Sequence, residues 1–331
     1  PSLLPTNRKK TMTKAIRVHE TGGPDVLKWE DVDVAAPGAG EALVRQTAAG
    51  LNFIDTYQRS GLYPIALPAI MGNEGAGVVE DVGDGVTEVK PGDRVAYHSA
   101  PGAYAEQRIV PSWVLAKLPD SISDQQGASM MLKGGTAQYL LRQTYNVQAG
   151  DTIVIHAAAG GVGLIVCQWA KHLGATVIGT VGSDEKAALA KAHGCDHAIV
   201  YTREDFPARV KEITDGKGVP VVYDSVGKDT FMGSLDCLQP RGLMVSFGNA
   251  SGPPDPLNVL ALSQKGSLFL TRPTLGHYAP NHAAVLKVAN DLFDVVSSGA
   301  VKIEINQTYP LQDAAQAHRD LESRKTTGST V

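Results

Sequence analysis

A glycine-rich turn between two apolar segments is the part of this sequence best suited to chemistry. The β-branched run Thr152–Ile155 predicts a buried strand, and the apolar residues after Gly163 have helical spacing. Between them, Gly160 and Gly163 hold the second and third glycine positions of a dinucleotide-binding fingerprint, while Ala158 stands where the first belongs. At such a turn, backbone N–H groups and the positive end of a helix bind a pyrophosphate. The stretch therefore predicts a dinucleotide site.

The residues about twenty positions further on bear on which dinucleotide binds. A site that prefers NAD carries an acidic residue there, which accepts a hydrogen bond from the ribose 2′-hydroxyl. This chain has the neutral pair Gly182 and Ser183, although Asp184 and Glu185 follow at once and leave NAD open. The missing acid at the expected position favours NADP(H).

The elements around this turn predict a parallel sheet. From Asp151 onward, strands alternate with helices of about ten residues, a pattern typical of βαβ units with right-handed crossovers. The predicted strands are 152–156, 175–181, 198–201, 220–224, 242–247 and 267–271.

The rest of the chain has a different pattern. In the first third, short alternating segments such as 15–18 and 41–47 are separated by turns rich in glycine and proline, which indicates a compact antiparallel barrel. After Pro273 the pattern predicts a helix, a strand at 303–309 and a second helix. Because a six-stranded nucleotide-binding sheet has no place for this tail, we expect it to return to the first domain.

Composition excludes several classes of function. The chain has 331 residues, 43% of them hydrophobic, which is enough for two well-buried domains. A formal net charge of −4 argues against nucleic acid or an anionic membrane surface as the main partner. No apolar run is long enough to span a bilayer. Three cysteines without disulfide or metal spacing fit a reducing compartment, so we expect a cytoplasmic protein. Residues 1–11 lack the apolar core of a signal peptide and are expected to be a disordered arm or a remnant of expression.

Four stretches of the sequence match motifs of a known family. They are 50–57 (GLNFIDTY) with 60–64 (SGLYP), 72–77 (GNEGAG), 132–136 (LKGGT) and 156–163 (HAAAGGVG). On these motifs the chain resembles the quinone oxidoreductase branch of the medium-chain dehydrogenase/reductases, the group that includes zeta-crystallin. The resemblance implies an α/β fold, with a Rossmann doubly wound parallel sheet inserted into a GroES-like β-barrel catalytic domain. The expected domains are 12–134 (GroES-like, catalytic), 135–271 (Rossmann, NADP(H)-binding) and 272–331 (the C-terminal return to the catalytic domain).

The resemblance does not extend to zinc. Zinc-dependent relatives place a cysteine and a His-Glu pair where this chain has Asn52 and Asn73-Glu74, and they carry a four-cysteine loop that is missing here. An asparagine amide is a poor zinc ligand. We therefore expect no metal, and hydride chemistry on an acceptor that is already electrophilic, such as a quinone or an activated alkene.

The resemblance also implies which residues bind the cofactor, NADPH. Three of them are expected at the nicotinamide: Asn52, Thr136 and Phe247. Three more form the pyrophosphate turn: Gly160, Gly161 and Val162. The 2′-phosphate is assigned to Lys186 with Ser183 and Tyr201, and Arg324 is a second candidate. Each has an ordinary structural alternative, such as a cap, a core residue or a solvated surface charge.

Tyr57 and Tyr63, together with Asn52, are the expected acceptor-binding residues. An aromatic wall stacks a flat quinone, and a phenol hydrogen-bonds its oxygen. Isolated tyrosines more often serve packing alone, so that alternative stays open.

The expected activity is zinc-independent, NADPH-dependent reduction of a quinone in the cleft between the domains. The protein orients the reactants and excludes water, and no essential general acid is assigned because solvent can protonate the product. One- and two-electron reduction both stay open. An alkenal or enone reductase on the same scaffold is one alternative, and a non-catalytic crystallin or RNA-binding role is another. The family implies a homodimer, formed through the sheet edge near Leu268–Thr271.

Overall fold

The computed structural model describes residues 11–331. The expected N-terminal arm, 1–11, lies outside the described residues except for Thr11, the first residue of β1. The strands are β1 (Thr11–Val18), β2 (Lys28–Val34), β3 (Glu41–Gly50), β4 (Ala69–Ile70), β5 (Glu74–Val82), β6 (Arg94–His98), β7 (Gln107–Pro111), β8 (Ala116–Lys117), β9 (Thr152–Ile155), β10 (Thr176–Val181), β11 (His197–Val200), β12 (Val219–Asp224), β13 (Leu238–Ser246), β14 (Phe269–Thr271), β15 (Ile305–Gln307) and β16 (Ser329–Thr330).

Helices connect and cover these strands. They are α1 (Phe53–Ser60), α2 (Asp124–Tyr139), α3 (Gly161–His172), α4 (Asp184–Ala192), α5 (Phe206–Ile213), α6 (Phe231–Asp236), α7 (Leu260–Gln264), α8 (Leu275–Tyr278), α9 (His282–Ser297) and α10 (Ala314–Glu322). No helix of residues 11–331 is long and apolar enough to cross a membrane.

The predicted parallel sheet is confirmed. Its strand order is β11-β10-β9-β12-β13-β14, and each neighbouring pair is parallel. Alternate residues of β9 enter two separate cores, because side chains of a strand point to opposite faces. Ile153 and Ile155 pack on the face that carries α3 and α9, and Val154 packs on the face of α5 and α6. Burial on both faces explains the continuous β-branched run of this strand.

The predicted antiparallel region is also present. Strands β7-β3-β5-β6-β8 form a five-stranded sheet, and β2-β1-β4 form a three-stranded one. Between them the short helix α1 begins directly after Asn52, a helix that the alternating pattern does not predict. The Asp55 carboxylate accepts a hydrogen bond from the Asn52 backbone N–H (2.9 Å), and Gly61, with φ of 86°, ends the helix. Two helical turns are too short to show a periodic pattern.

The C-terminal segment divides between the two regions, because α9 packs on the parallel sheet whereas α10 and β16 lie against the antiparallel region. Ala314 and Ala317 of α10 pack in one core with Ile16 and Met71, and Thr330 of β16 pairs with Leu51. The exact domain limits remain a prediction. The expected boundary at 134/135 falls inside α2, a continuous helix that packs against β3, β5 and β6 on one side and against α3 and α9 on the other.

Candidate cofactor and acceptor site

The glycine turn is built for close backbone approach. β9 ends at Ile155, the chain passes through Ala157 with φ of 53°, and α3 begins at Gly161. A Cβ at Gly163 would lie 2.3 Å from the Ala157 carbonyl oxygen, so only glycine fits there. The first N–H groups of α3 therefore stand at a turn with no side chain at Gly160 or Gly161, a geometry that suits a pyrophosphate.

Two cationic residues, Lys186 and Arg324, lie close together beyond the end of β10. Lys186 Nζ donates to the backbone carbonyl of Arg324 (2.8 Å), and the Ser183 hydroxyl caps α4 by accepting the Lys186 N–H (3.3 Å). Partial burial, and secondly the charge of Arg324, lower the pKa of Lys186. Tyr201 lies against the same turn, because its hydroxyl would be 3.1 Å from a Cβ at Gly182. The Arg324 guanidinium has the Asp229 carboxylate 3.9 Å away, at the limit of an ion pair, and the two neighbouring cations fit a 2′-phosphate.

Asp184, the acidic residue that kept NAD possible as the cofactor, forms an ion pair with Arg203. The Asp184 carboxylate accepts two hydrogen bonds from the guanidinium of Arg203, one of 2.8 Å and one of 2.5 Å. These hydrogen bonds lower the pKa of Asp184. Its oxygens are thus engaged by a cation instead of facing a ribose hydroxyl.

The rings of Tyr57 and Tyr63 contact each other beside the segments that follow β13 and β14 of the parallel sheet. Their ring centroids are 5.2 Å apart at an interplanar angle of 60°. The Asn249 backbone N–H donates to the Tyr57 hydroxyl (3.0 Å), and Arg272 Nη2 donates to the Tyr63 hydroxyl (2.8 Å). Burial raises the pKa of Tyr57 to about 12, so its phenol stays protonated at neutral pH. Each hydroxyl accepts one hydrogen bond and can donate another to the oxygen of an acceptor.

The three residues expected at the nicotinamide differ in their surroundings. Asn52 is buried, and its Nδ2 donates to the Glu74 carboxylate (2.8 Å). The Thr136 hydroxyl donates to the Leu132 carbonyl one turn back in α2 (2.7 Å), which leaves its oxygen free to accept. Phe247 directly follows β13 and is half-buried. The side chains of Asn52 and Thr136 can each still accept a hydrogen bond from a carboxamide.

Sequence reasoning missed several residues of this region. Arg272 and Asn249 contact the tyrosines, and sequence reasoning assigned a role to neither. Lys133, Glu74 and Asp55 are charged residues inside stretches that are otherwise apolar or small, which is a signal that could have been used. Within residues 11–331, no group of three or more His, Cys, Asp or Glu side chains could hold a metal ion.

Comparison with known proteins places this geometry in a family. Residues 38–120 match the alcohol dehydrogenase GroES-like domain, and residues 161–281 match the zinc-binding dehydrogenase family. A quinone oxidoreductase of Pseudomonas aeruginosa is 56% identical over 97% of this chain and 99% of its own length. A 2-haloacrylate reductase of a Burkholderia species is 49% identical over 97% of this chain and 98% of its own.

Solved structures agree with these matches. The quinone oxidoreductase of Escherichia coli complexed with NADPH superposes with a TM-score of 0.94 at 50% identity, and the match covers 96% of this chain and 98% of that one. The chain therefore belongs to the quinone oxidoreductase family of medium-chain dehydrogenase/reductases.

Proposed function

We propose that the protein is a zinc-independent, NADPH-dependent reductase that acts on quinones. One observation carries the cofactor assignment: the Lys186 ammonium lies at the backbone carbonyl of Arg324 beside the turn after β10, while the Asp184 carboxylate is paired with Arg203. The relatives named quinone oxidoreductase, one of them solved with NADPH, support the same assignment and the class of acceptor.

When bound, NADPH supplies a hydride from its nicotinamide to the acceptor. The turn Gly160–Gly161–Val162 would hold the pyrophosphate, and Ser183, Lys186, Tyr201 and Arg324 would hold the 2′-phosphate. Asn52, Thr136 and Phe247 would orient the nicotinamide. Tyr57 and Tyr63 would flank a flat acceptor and donate hydrogen bonds to its oxygen. In this proposal the residues contribute orientation and water exclusion, and no essential general acid is needed.

Reduction of an activated alkene is the second candidate. The 2-haloacrylate reductase relative favours it, and so does Arg272, whose guanidinium donates to Tyr63 and to the backbone carbonyls of Ser246 and Gly248. Among the described residues Arg272 has no ion pair with a carboxylate, so its charge suits an anionic acceptor. Steady-state turnover on matched panels of quinones, enones and 2-enoates separates the two. Higher kcat/KM on the quinones supports the first proposal, and higher values on the alkenes support the second.

A homodimer through the edge of the parallel sheet is part of the proposal. β14 ends that sheet, and its Phe269 is 61% exposed. Leu270 is exposed as well, and so are Val259 and Leu260 in the segment before it. An unpaired apolar edge strand is a template for pairing with a second copy. A cytoplasmic location is also proposed, because Cys167, Cys195 and Cys237 are free thiols.

The cofactor assignment is tested by replacing one charge. Lys186→Ala is expected to weaken NADPH binding about 10- to 100-fold, because a hydrogen bond to a charged group contributes about 1.5–3 kcal/mol. NADH, which lacks the phosphate, is expected to bind the variant as it binds the parent. Dissociation constants for both nucleotides are measured by fluorescence titration.

Lys191→Ala is the matched control, because Lys191 is an exposed residue of the same helix. It should change neither constant. Equal binding of NADH and NADPH by the parent, or an unchanged preference in Lys186→Ala, would contradict the assignment.

A further inference from the structure

A buried ion pair joins the two regions that form the proposed site. Lys133 of α2 is 7% exposed and Glu74 of β5 is fully buried, with Lys133 Nζ 3.1 Å from Glu74 Oε2. Removing both charges from water costs free energy that their attraction repays only in part, so such a pair is weak evidence for stability. A role in positioning is the better explanation for its presence here.

The Glu74 carboxylate collects donors from three directions. Besides Lys133, it accepts Asn52 Nδ2 at Oε2 (2.8 Å) and the Leu132 backbone N–H at Oε1 (2.8 Å). Asn52 Nδ2 also donates to the Gly50 carbonyl (3.4 Å), so both amide protons have acceptors and the amide oxygen occupies the other arm of the planar group. Asn52 thus has one fixed orientation, with its acceptor atom turned away from Glu74.

The methylene chain of Lys133 lies against the glycine turn. A Cβ at Gly161 would be 2.6 Å from Lys133 Cδ and 2.9 Å from Cε. Gly161 is the first residue of α3. A single side chain therefore contacts the backbone of the turn with its stem and, through Glu74, fixes Asn52 with its ammonium.

We propose that Lys133 and Glu74 are positioning residues that fix the Asn52 amide relative to the glycine turn, so that Asn52 would orient the nicotinamide of a cofactor bound at that turn. The inference rests on the proposed function. Neither side chain needs to touch the acceptor, since both act through Asn52. The orientation of Asn52 depends on the Glu74 oxygen that accepts its Nδ2 hydrogen bond, and Lys133 holds that oxygen in place from the other side.

The test removes the charges together. Lys133→Met alone leaves a buried unpaired carboxylate and lowers stability, so the double variant Lys133→Met/Glu74→Gln, which is neutral at both positions, is the main variant. Its melting temperature is expected to approach that of the parent. Its kcat for hydride transfer is expected to fall about 10- to 100-fold, because a small misplacement costs about that much. The acceptor KM and the NADPH dissociation constant should each change less than about 3-fold, since the turn and the stem volume are retained.

Asn52→Ala shows whether the pair acts through Asn52. A triple variant that combines Asn52→Ala with Lys133→Met/Glu74→Gln should have a kcat less than about 2-fold below that of Asn52→Ala alone. The reason is that the effects of residues that act as a unit are not additive. The emission of bound nicotinamide, which needs no turnover, should change in the same way in Asn52→Ala and in the double variant. Lys265→Met/Asp236→Asn, which removes an ion pair on the other face of the parallel sheet, should leave kcat and emission unchanged.

Two results would overturn the inference. One is a double variant with the parent's kcat and nicotinamide emission, which would make the pair purely structural. The other is a triple variant whose kcat lies below that of Asn52→Ala by the full factor that the double variant shows on its own. A parent protein that reduces neither quinones nor activated alkenes would overturn the proposed function instead, and the emission data would then still decide the inference.

Discussion

At the scale of single residues, the two tyrosines show how position sets the role of a side chain. Tyr57 and Tyr63 are both half-buried, but the Tyr57 hydroxyl accepts from a backbone N–H whereas the Tyr63 hydroxyl accepts from the Arg272 side chain. The Arg272 bond leaves the Tyr63 proton available to an acceptor. Because Tyr63 also lies beside the positive charge of Arg272, it is the better probe of acceptor binding.

Tyr63→Phe is expected to raise the acceptor KM about 3- to 10-fold, because one hydrogen bond contributes about 0.5–1.5 kcal/mol. The melting temperature should stay at the parent's value, since the ring is kept. Steady-state kinetics at saturating NADPH measure the change. Tyr309→Phe is the control, because that hydroxyl bonds Asp320 (2.8 Å) away from the site. An unchanged KM in Tyr63→Phe would remove this residue from the acceptor site.

Asp55 is a buried carboxylate whose ionisation costs stability. Burial raises its pKa from 3.8 to about 6, although hydrogen bonds from Asn73, the Asn52 N–H and Tyr104 act in the opposite direction. Between these two pKa values the folded protein binds more protons than the unfolded chain, so the free energy of unfolding falls as pH rises. The full cost, up to about 3 kcal/mol, is present above pH 6.

Asp55→Asn removes this titration and isolates the effect. We expect the free energy of unfolding of the parent minus that of the variant to decrease as pH rises from 4 to 7, with a constant offset from altered hydrogen bonds. Urea unfolding at several pH values gives both quantities. A difference that stays flat or rises with pH would show that Asp55 is not destabilised by burial.

At the scale of elements, the edge strand β14 tests the proposed dimer, because its Phe269 and Leu270 are exposed.

Phe269→Lys is expected to shift the protein from dimer to monomer, since a charge on an edge strand opposes pairing. Sedimentation equilibrium measures the mass. Met232→Lys is the control, because Met232 is an exposed apolar residue (50%) of α6, away from the sheet edge. A parent protein that is already monomeric, or a Phe269→Lys variant that stays dimeric, would contradict an interface at β14.

At the scale of the whole molecule, the C-terminal helix α10 holds α1 in place. The Arg59 guanidinium of α1 is 3% exposed and binds the Glu322 carboxylate of α10 (2.6 Å), and it also donates to the ring of His318. These contacts join residues separated by more than 250 positions. Because α1 carries Tyr57, the tail helps to define the acceptor site.

Glu322→Gln is expected to lower the free energy of unfolding by about 1–3 kcal/mol, because it leaves the buried guanidinium without its counter-charge. Denaturant unfolding at neutral pH measures it. Glu212→Gln, in an exposed pair with Arg209, should change stability by less than about 0.5 kcal/mol. A variant of Glu322 as stable as the parent would mean that solvent satisfies Arg59.

The sequence by itself determined the parallel sheet, the glycine turn and the antiparallel region. Those features depend on local periodicity and on turn residues, which are written in consecutive positions. The sequence pattern did not predict α1, because a helix of two turns is too short to show a clear periodicity.

Only the tertiary structure decided which side chains meet. Glu74 and Lys133 are 59 positions apart, and Tyr57 and Asn249 are 192 apart, and no local pattern links either pair. The structure also showed that Asp184, the acid next to the expected position, is bound by Arg203. Local segments choose their conformation from their own residues, whereas contacts between distant residues depend on how the finished elements pack, so they appear only in the folded chain.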